Sequence, residues 1–164
     1  MIKSQQVYSA RLNYTAGAFE NIIKILGDIT MMDKQQMVDI IKREKLIVIV
    51  RNIPTEKIVA LAKAMINGGI NCMEVTLDQQ SDDNYKSTLE SISVLCETFG
   101  DKLFVGVGTA MTAQQVRLSA QAGAKYVISP NVCREVIEET NKHNLVSIPG
   151  ALTPPEIADA YSFG

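Results

Sequence analysis

Three polar residues sit where an apolar environment makes them expensive. Glu74 lies inside Cys72-Met73-Glu74-Val75-Thr76-Leu77, Arg51 closes the aliphatic run Leu46–Val50, and Thr109 follows Gly106-Val107-Gly108. A carboxylate within an apolar strand is costly to bury unless it has a partner or a task. Partial desolvation would raise its pKa and suit it to general acid and base work near neutral pH. The competing reading is a structural carboxylate paired with a cation such as Arg51, and the two are compatible. Arg51 itself offers a guanidinium that grips a carboxylate or phosphate bidentately. Gly106-Val107-Gly108-Thr109 resembles half of a dinucleotide fingerprint but lacks the third glycine and follows the third strand, not the first. Its glycines are read as letting the backbone approach a small ligand, with Thr109 supplying a hydroxyl. His143 falls in the polar turn Asn141-Lys142-His143-Asn144, ahead of a strand, and is read as a surface residue.

These residues need strands that end beside one another. From Met32 onward, short apolar runs alternate with helical periodicity. The expected strands are 46–51, 72–77, 103–107, 125–129 and 145–149, nearly continuous in apolar character, as parallel strands covered on both faces must be. Apolar stripes through Ile58, Leu61, Ala62 and Met65, through Leu89, Ile92, Val94, Leu95 and Phe99, through Val116, Ala120 and Ala122, and beginning with Val132, Val136 and Ile137 predict the intervening helices. Pro54 marks a helix start, and Gly68-Gly69, Gly100 and Gly123 mark ends. Spacings of about 20 to 31 residues fit βαβ crossovers. Alternation puts Met73, Val75 and Leu77 on one face and Cys72, Glu74 and Thr76 on the other. Both a doubly wound five-stranded sheet and a barrel of βα units fit this pattern. Residues 1–31 stand apart from the repeat as an N-terminal extension, disordered or helical through Phe19, Ile22, Ile23 and Leu26.

Composition narrows the classes of function. The 164 residues carry a formal net charge of −2, with a pI near 5.4 and aromatics at 5% without tryptophan, so nucleic acid and anionic membrane are not expected partners. The three cysteines, Cys72, Cys96 and Cys133, are too few and too scattered for a disulfide framework or a metal cluster and read as buried hydrophobes in a reducing cytosol. No run approaches the roughly 20 apolar residues of a membrane span, and no secretory signal is evident.

From about Met37 to Gly164 the chain resembles the 2-keto-3-deoxy-6-phosphogluconate aldolase family, which includes 4-hydroxy-2-oxoglutarate aldolases. The carriers are Ile47-Val48-Ile49-Val50-Arg51, Gly68-Gly69-Ile70, Met73-Glu74-Val75-Thr76-Leu77, Gly106-Val107-Gly108-Thr109, Gly123-Ala124, Ile128-Ser129-Pro130 and Ile148-Pro149-Gly150. The resemblance implies an α/β (β/α)8 barrel of which residues 32–164 supply the first five βα units. It implies a cytoplasmic homotrimer that cleaves a 2-keto acid substrate to pyruvate and an aldehyde through a lysine Schiff base, with neither metal nor cofactor. It makes Glu74 the proton-shuttling glutamate and Arg51 and Thr109 contacts of the pyruvyl portion, with Pro130, Pro149 and Gly150 shaping the pocket. Asp78 stands where the family commonly has a substrate-binding arginine. The Schiff-base lysine is expected on a sixth strand, beyond Gly164, and a length below the about 250 residues of a typical complete barrel agrees with a truncated domain. The chain alone is therefore expected to be inactive. A non-catalytic assembly or binding module with open sheet edges, and another phosphate-handling barrel such as a thiamin-phosphate-synthase-like enzyme, are the alternatives.

Overall fold

The computed structural model describes residues 32–80 and 82–164. The expected helix over Phe19–Leu26, and the rest of the N-terminal extension, lie outside the described residues. The elements alternate as the hydrophobic periods require: α1 (Lys34–Glu44), β1 (Val48–Val50), α2 (Thr55–Asn67), β2 (Cys72–Thr76), α3 (Asp82–Phe99), β3 (Phe104–Gly108), α4 (Ala113–Gln121), β4 (Tyr126–Ser129), α5 (Arg134–Lys142), β5 (Val146–Pro149) and α6 (Pro154–Phe163). Punctuation does much of the placing. Gly69, at φ +82°, takes the left-handed turn out of α2 that a side chain would resist. Thr112 and Thr153 open α4 and α6 through capping boxes with Gln115 and Glu156.

The five strands form one parallel sheet in the order β1-β2-β3-β4-β5. Each crossover steps in the same direction, so the order reversal that a doubly wound sheet needs is absent. A singly wound parallel sheet is the beginning of a barrel wall. Right-handed crossovers then set the helices along one face. That face is apolar: Val50, Met73, Val75, Val105, Val107 and Val127 pack with Ile58, Ala62, Ile92, Leu95, Val116 and Val136 in one buried cluster.

The opposite face carries Ile49, Glu74 and Gly106 side by side in register, with the ring of Tyr126 lying over Gly106. Glycine at 106 has a steric cause, because a β-carbon there would fall within the Tyr126 ring. Tyr126 is fully buried, and its hydroxyl donates to the carbonyl oxygens of Met73 (2.7 Å) and Phe104 (3.4 Å), which staples β4 to the two preceding strands. Burial pushes the phenol far above its ordinary range, so it stays a donor.

At the strands' N-terminal ends, Glu44 of α1 accepts from the Asn71 side chain (3.1 Å), and Lys34 donates to Asn141 (2.5 Å) at the end of α5. The two ends of α1 are thus fastened, one to the residue before β2 and the other to α5. Asn141 also donates to the carbonyl of Gly164 (3.0 Å), while the Arg134 guanidinium stacks 4.2 Å from the Phe163 ring, which together seat α6. Glu139 on α5 pairs with Arg117 of α4 (3.3 Å) and with Lys142 (3.2 Å), and His143, the residue that ends α5, lies 3.4 Å from it. Burial opposes ionisation of Glu139, but hydrogen bonds from Lys142 and Arg117 hold its carboxyl below the usual range. Large apolar side chains stay exposed at both ends of the sheet: Leu46, Ile49 and Ile53 around β1, and Leu152, Ile157 and Tyr161 beyond β5.

Candidate active site

The strands deliver their polar residues to one rim, the C-terminal ends at which α/β proteins bind ligands. Arg51 follows β1, Asp78 and Gln79 follow β2, Thr109 follows β3, Pro130 follows β4, and Gly150 follows β5. The rim's anchor is Glu74. Its residue is only 4% exposed, and its carboxyl group occupies the space that a side chain at Gly108 would fill, since a β-carbon there would coincide with Glu74 Oε1. Burial raises the Glu74 pKa above the ordinary carboxylate range, and the charge of Arg51 opposes that rise. The pair is therefore an electrostatic one in which desolvation prevails.

Arg51 Nη2 donates to Thr109 Oγ1 at 3.1 Å. Thr109 has φ +59°, a left-handed conformation that is a true outlier for a β-branched residue and costs about 1–3 kcal/mol. Its carbonyl accepts from Gln79 Nε2 at 2.7 Å. Gln115 Nε2 donates to both Gln79 Oε1 (2.8 Å) and the Tyr85 hydroxyl (2.6 Å), while its Oε1 accepts from the backbone of Met111 (2.7 Å) and Thr112 (3.2 Å). Sequence reasoning passed over Gln79, Gln115 and Tyr126. The Thr112-x-x-Gln115 capping signature was the one local cue to the second of these.

The structure brings Glu74, Arg51 and Thr109 together across three strands. Pro130 and Gly150 meet at the far end of the rim: Gly150 N donates to Ser129 O (2.8 Å), and a β-carbon at Gly150 would press on the Pro130 carbonyl. Pro149 is placed apart from them, lining a groove of about 280 Å³ on the helix side with Ser147, Ile157 and Tyr161. The reading of Gly106 and Gly108 as openings for a ligand is corrected, because Tyr126 and Glu74 occupy the spaces those glycines leave. The cysteine reading also needs adjustment. All three are free, and Cys72 is buried, its thiol pushed up to about 11, but Cys96 and Cys133 are only half-buried.

A cavity of about 340 Å³ opens beside the rim between the first two units, lined by Asn52, Pro54, Thr76, Asp78, Thr88 and Ser91. The lysines of the described residues all lie on helices or ahead of strands: Lys34, Lys42, Lys57, Lys63, Lys86 and Lys142 on helices, and Lys45, Lys102 and Lys125 at strand starts. Among the described residues no group of His, Cys, Asp and Glu is placed to hold a metal ion, and no helix is long and apolar enough to cross a membrane.

A singly wound parallel sheet of five βα units, with a buried carboxylate, a guanidinium and a hydroxyl gathered at its strands' C-terminal ends, defines the class: part of a (β/α)8-barrel fold. Within that class the chain belongs to the KDPG and KHG aldolase family, whose model matches residues 37–164. The 2-dehydro-3-deoxy-phosphogluconate aldolase of Treponema pallidum (strain Nichols) is 34% identical over 124 residues, which are 76% of this chain and 56% of that protein. The native KDPGal structure superposes with a TM-score of 0.64 at 28% identity, covering 72% of this chain and 54% of the other. The KDPG aldolase of Legionella pneumophila, with pyruvate captured as a covalent carbinolamine intermediate, gives a TM-score of 0.60 at 27% identity over 72% of this chain and 54% of its own. These relatives are aldolases, carbon–carbon lyases. The chain spans about half the length of the curated relatives it matches.

Proposed function

We propose that residues 32–164 carry the recognition and proton-transfer half of a Schiff-base aldolase site for a 2-keto-3-deoxy-6-phospho sugar acid or 4-hydroxy-2-oxoglutarate. The observation that supports this most is Glu74. A carboxyl group with a raised pKa, buried at the end of the sheet where ligands bind and neighboured by Arg51, is suited to accept and return a proton near neutral pH. Arg51 and Thr109 hold the substrate's carboxylate and keto oxygen. Pro130 and Gly150 form the far wall, and Pro149 stiffens that wall from the helix side.

The lysine comes from outside the described residues. Its amine condenses with the C2 ketone, releasing water and leaving a protonated imine. Glu74 takes the proton of the C4 hydroxyl as the C3–C4 bond breaks. The electron pair moves into the imine to give an enamine, and the aldehyde departs. Glu74 then returns the proton to C3, and water hydrolyses the imine to free pyruvate and the amine. Metal and cofactor have no part in this sequence. The homotrimer belongs to the same proposal, supported by the apolar side chains exposed at Ile49, Leu152, Ile157 and Tyr161, and so does a cytoplasmic setting, supported by the free cysteines.

Incubation of the 164-residue chain with pyruvate and borohydride, followed by mass spectrometry, tests the assignment. The expected result is no covalent adduct and no retro-aldol turnover. A pyruvate adduct on a described lysine would overturn the placement of the nucleophile. Pyruvate alone is expected to shift the amide resonances of Thr109 and of residue 74 in the parent and in Glu74→Gln, and to leave them unmoved in Arg51→Ala.

A further inference from the structure

We propose that Gln79 and Gln115 are positioning residues that clamp Thr109 in its left-handed conformation, the one in which its hydroxyl meets Arg51. The role of that pair in substrate recognition rests on the site reading above. The need for a clamp follows from residue type. A β-branched threonine at φ +59° does not stay there on local preference, and its neighbours must hold it. On one side the Arg51 guanidinium binds the hydroxyl, but Arg51 is long and exposed and orders little by itself. On the other side the Gln79 amide donates to the Thr109 carbonyl. Gln79 is exposed too, so it needs an anchor. Gln115 provides it. Gln115 is only 3% exposed, and its amide group makes four bonds, accepting from the Met111 and Thr112 backbone and donating to Gln79 and Tyr85.

One donor of Gln115 and the Tyr85 hydroxyl (3.3 Å) both reach Gln79 Oε1 and fix which way the Gln79 amide points. With Gln79 Oε1 committed to accepting from Gln115, Nε2 must face Thr109 O. The loops after β2 and β3 are thereby joined, and the recognition pair inherits its geometry from an amide well away from the ligand's place. Gln79→Glu replaces the donor with an oxygen facing a carbonyl and, being exposed, leaves the fold intact. Gln115→Glu removes both donors at the buried end.

The experiment measures two things on the 164-residue protein: the φ-dependent three-bond couplings and Cα shift of Thr109, and pyruvate affinity by resonance titration. In Gln79→Glu we expect Thr109 to leave the left-handed region with the melting temperature unchanged, and pyruvate to bind about tenfold more weakly. The double variant with Arg51→Ala is expected to bind no more weakly than Arg51→Ala alone. Thr109→Asn in the Gln79→Glu background is expected to regain the left-handed signature, because Asn adopts that region far more readily. Thr109 remaining left-handed in both Gln79→Glu and Gln115→Glu would overturn the clamp, whatever pyruvate does. If Thr109 moves as expected but pyruvate affinity is indifferent to both Arg51→Ala and Gln79→Glu, the clamp stands as geometry and the substrate reading fails.

Discussion

Replacing Gly106 by alanine puts one methyl group where the Tyr126 ring already lies, and the consequence can be worked from its surroundings. The ring is fully buried, and its hydroxyl is held by Met73 O at 2.7 Å and Phe104 O at 3.4 Å. Retreat of the ring therefore breaks the staple between β4 and β2. Overpacking of a close-fitted core costs about 1–3 kcal/mol, and each hydrogen bond lost adds about 0.5–1.5 kcal/mol. With the shorter bond counted in full, Gly106→Ala should destabilise by about 2–4 kcal/mol. At roughly 2–4 °C per kcal/mol for a chain of this size, the midpoint should fall by roughly 5–15 °C. Urea denaturation of Gly106→Ala, Tyr126→Leu and the double variant isolates the cause. Leucine vacates most of the ring's space, so the alanine should add less than about 0.5 kcal/mol in that background, a coupling expected of residues in direct contact. A Gly106→Ala protein as stable as the parent, or strictly additive effects in the double variant, would refute the steric explanation.

Other perturbations have equally definite signs. Because the folded pKa of Glu74 is raised, the parent binds its proton more tightly when folded. Stability should thus decline as pH rises from the unfolded value near 4.3 through the folded one and then level off. Glu74→Gln removes that decline, so it should exceed the parent at pH 7 and converge with it below about pH 4 in paired urea titrations; an equal difference at both pH values would contradict the shift. Glu139 has the opposite sign, its pKa being lowered, so the stability it lends is present above the unfolded value and lost as pH falls through the folded one. Arg117→Ala should accordingly weaken the protein at pH 7 and cost less at pH 3, as thermal melts would show. Asn141→Ala severs α6 and α1 from the end of α5, at a cost of about 1–2 kcal/mol. Limited proteolysis should then cut first within Pro154–Phe163, and an unchanged cleavage pattern would argue against that anchorage.

The strands and helices were legible because their signals are local. Five short apolar runs place every strand to within about two residues of where it lies, and the helical stripes and the marks at Pro54, Gly69 and Gly123 put helices between them. Alternation alone set Glu74 on the face away from the helices, and the order of motifs pointed to the aldolase family. The correction at the two glycines of β3 has a physical reason: what fills the space beside a glycine comes from another strand, and no local pattern says which. Gln115 offers a local capping cue only for its bonds to the Met111 and Thr112 backbone; its other two bonds reach Gln79 and Tyr85, 36 and 30 positions earlier in the chain, which no local pattern reports.

Residue type and short-range spacing were enough to give the α/β class, the family and the polar residues at the strand ends. Tertiary structure decided between a doubly wound and a singly wound sheet, because strand order is a fact about pairing that apolar runs of similar length do not encode. It also decided how the rim works. Glu74 fits over Gly108, Tyr126 fits over Gly106, and Thr109 is held at a strained φ between Arg51 and Gln79. Each of these contacts joins strands or loops far apart in the chain, and only the packing of one against the next brings them within reach.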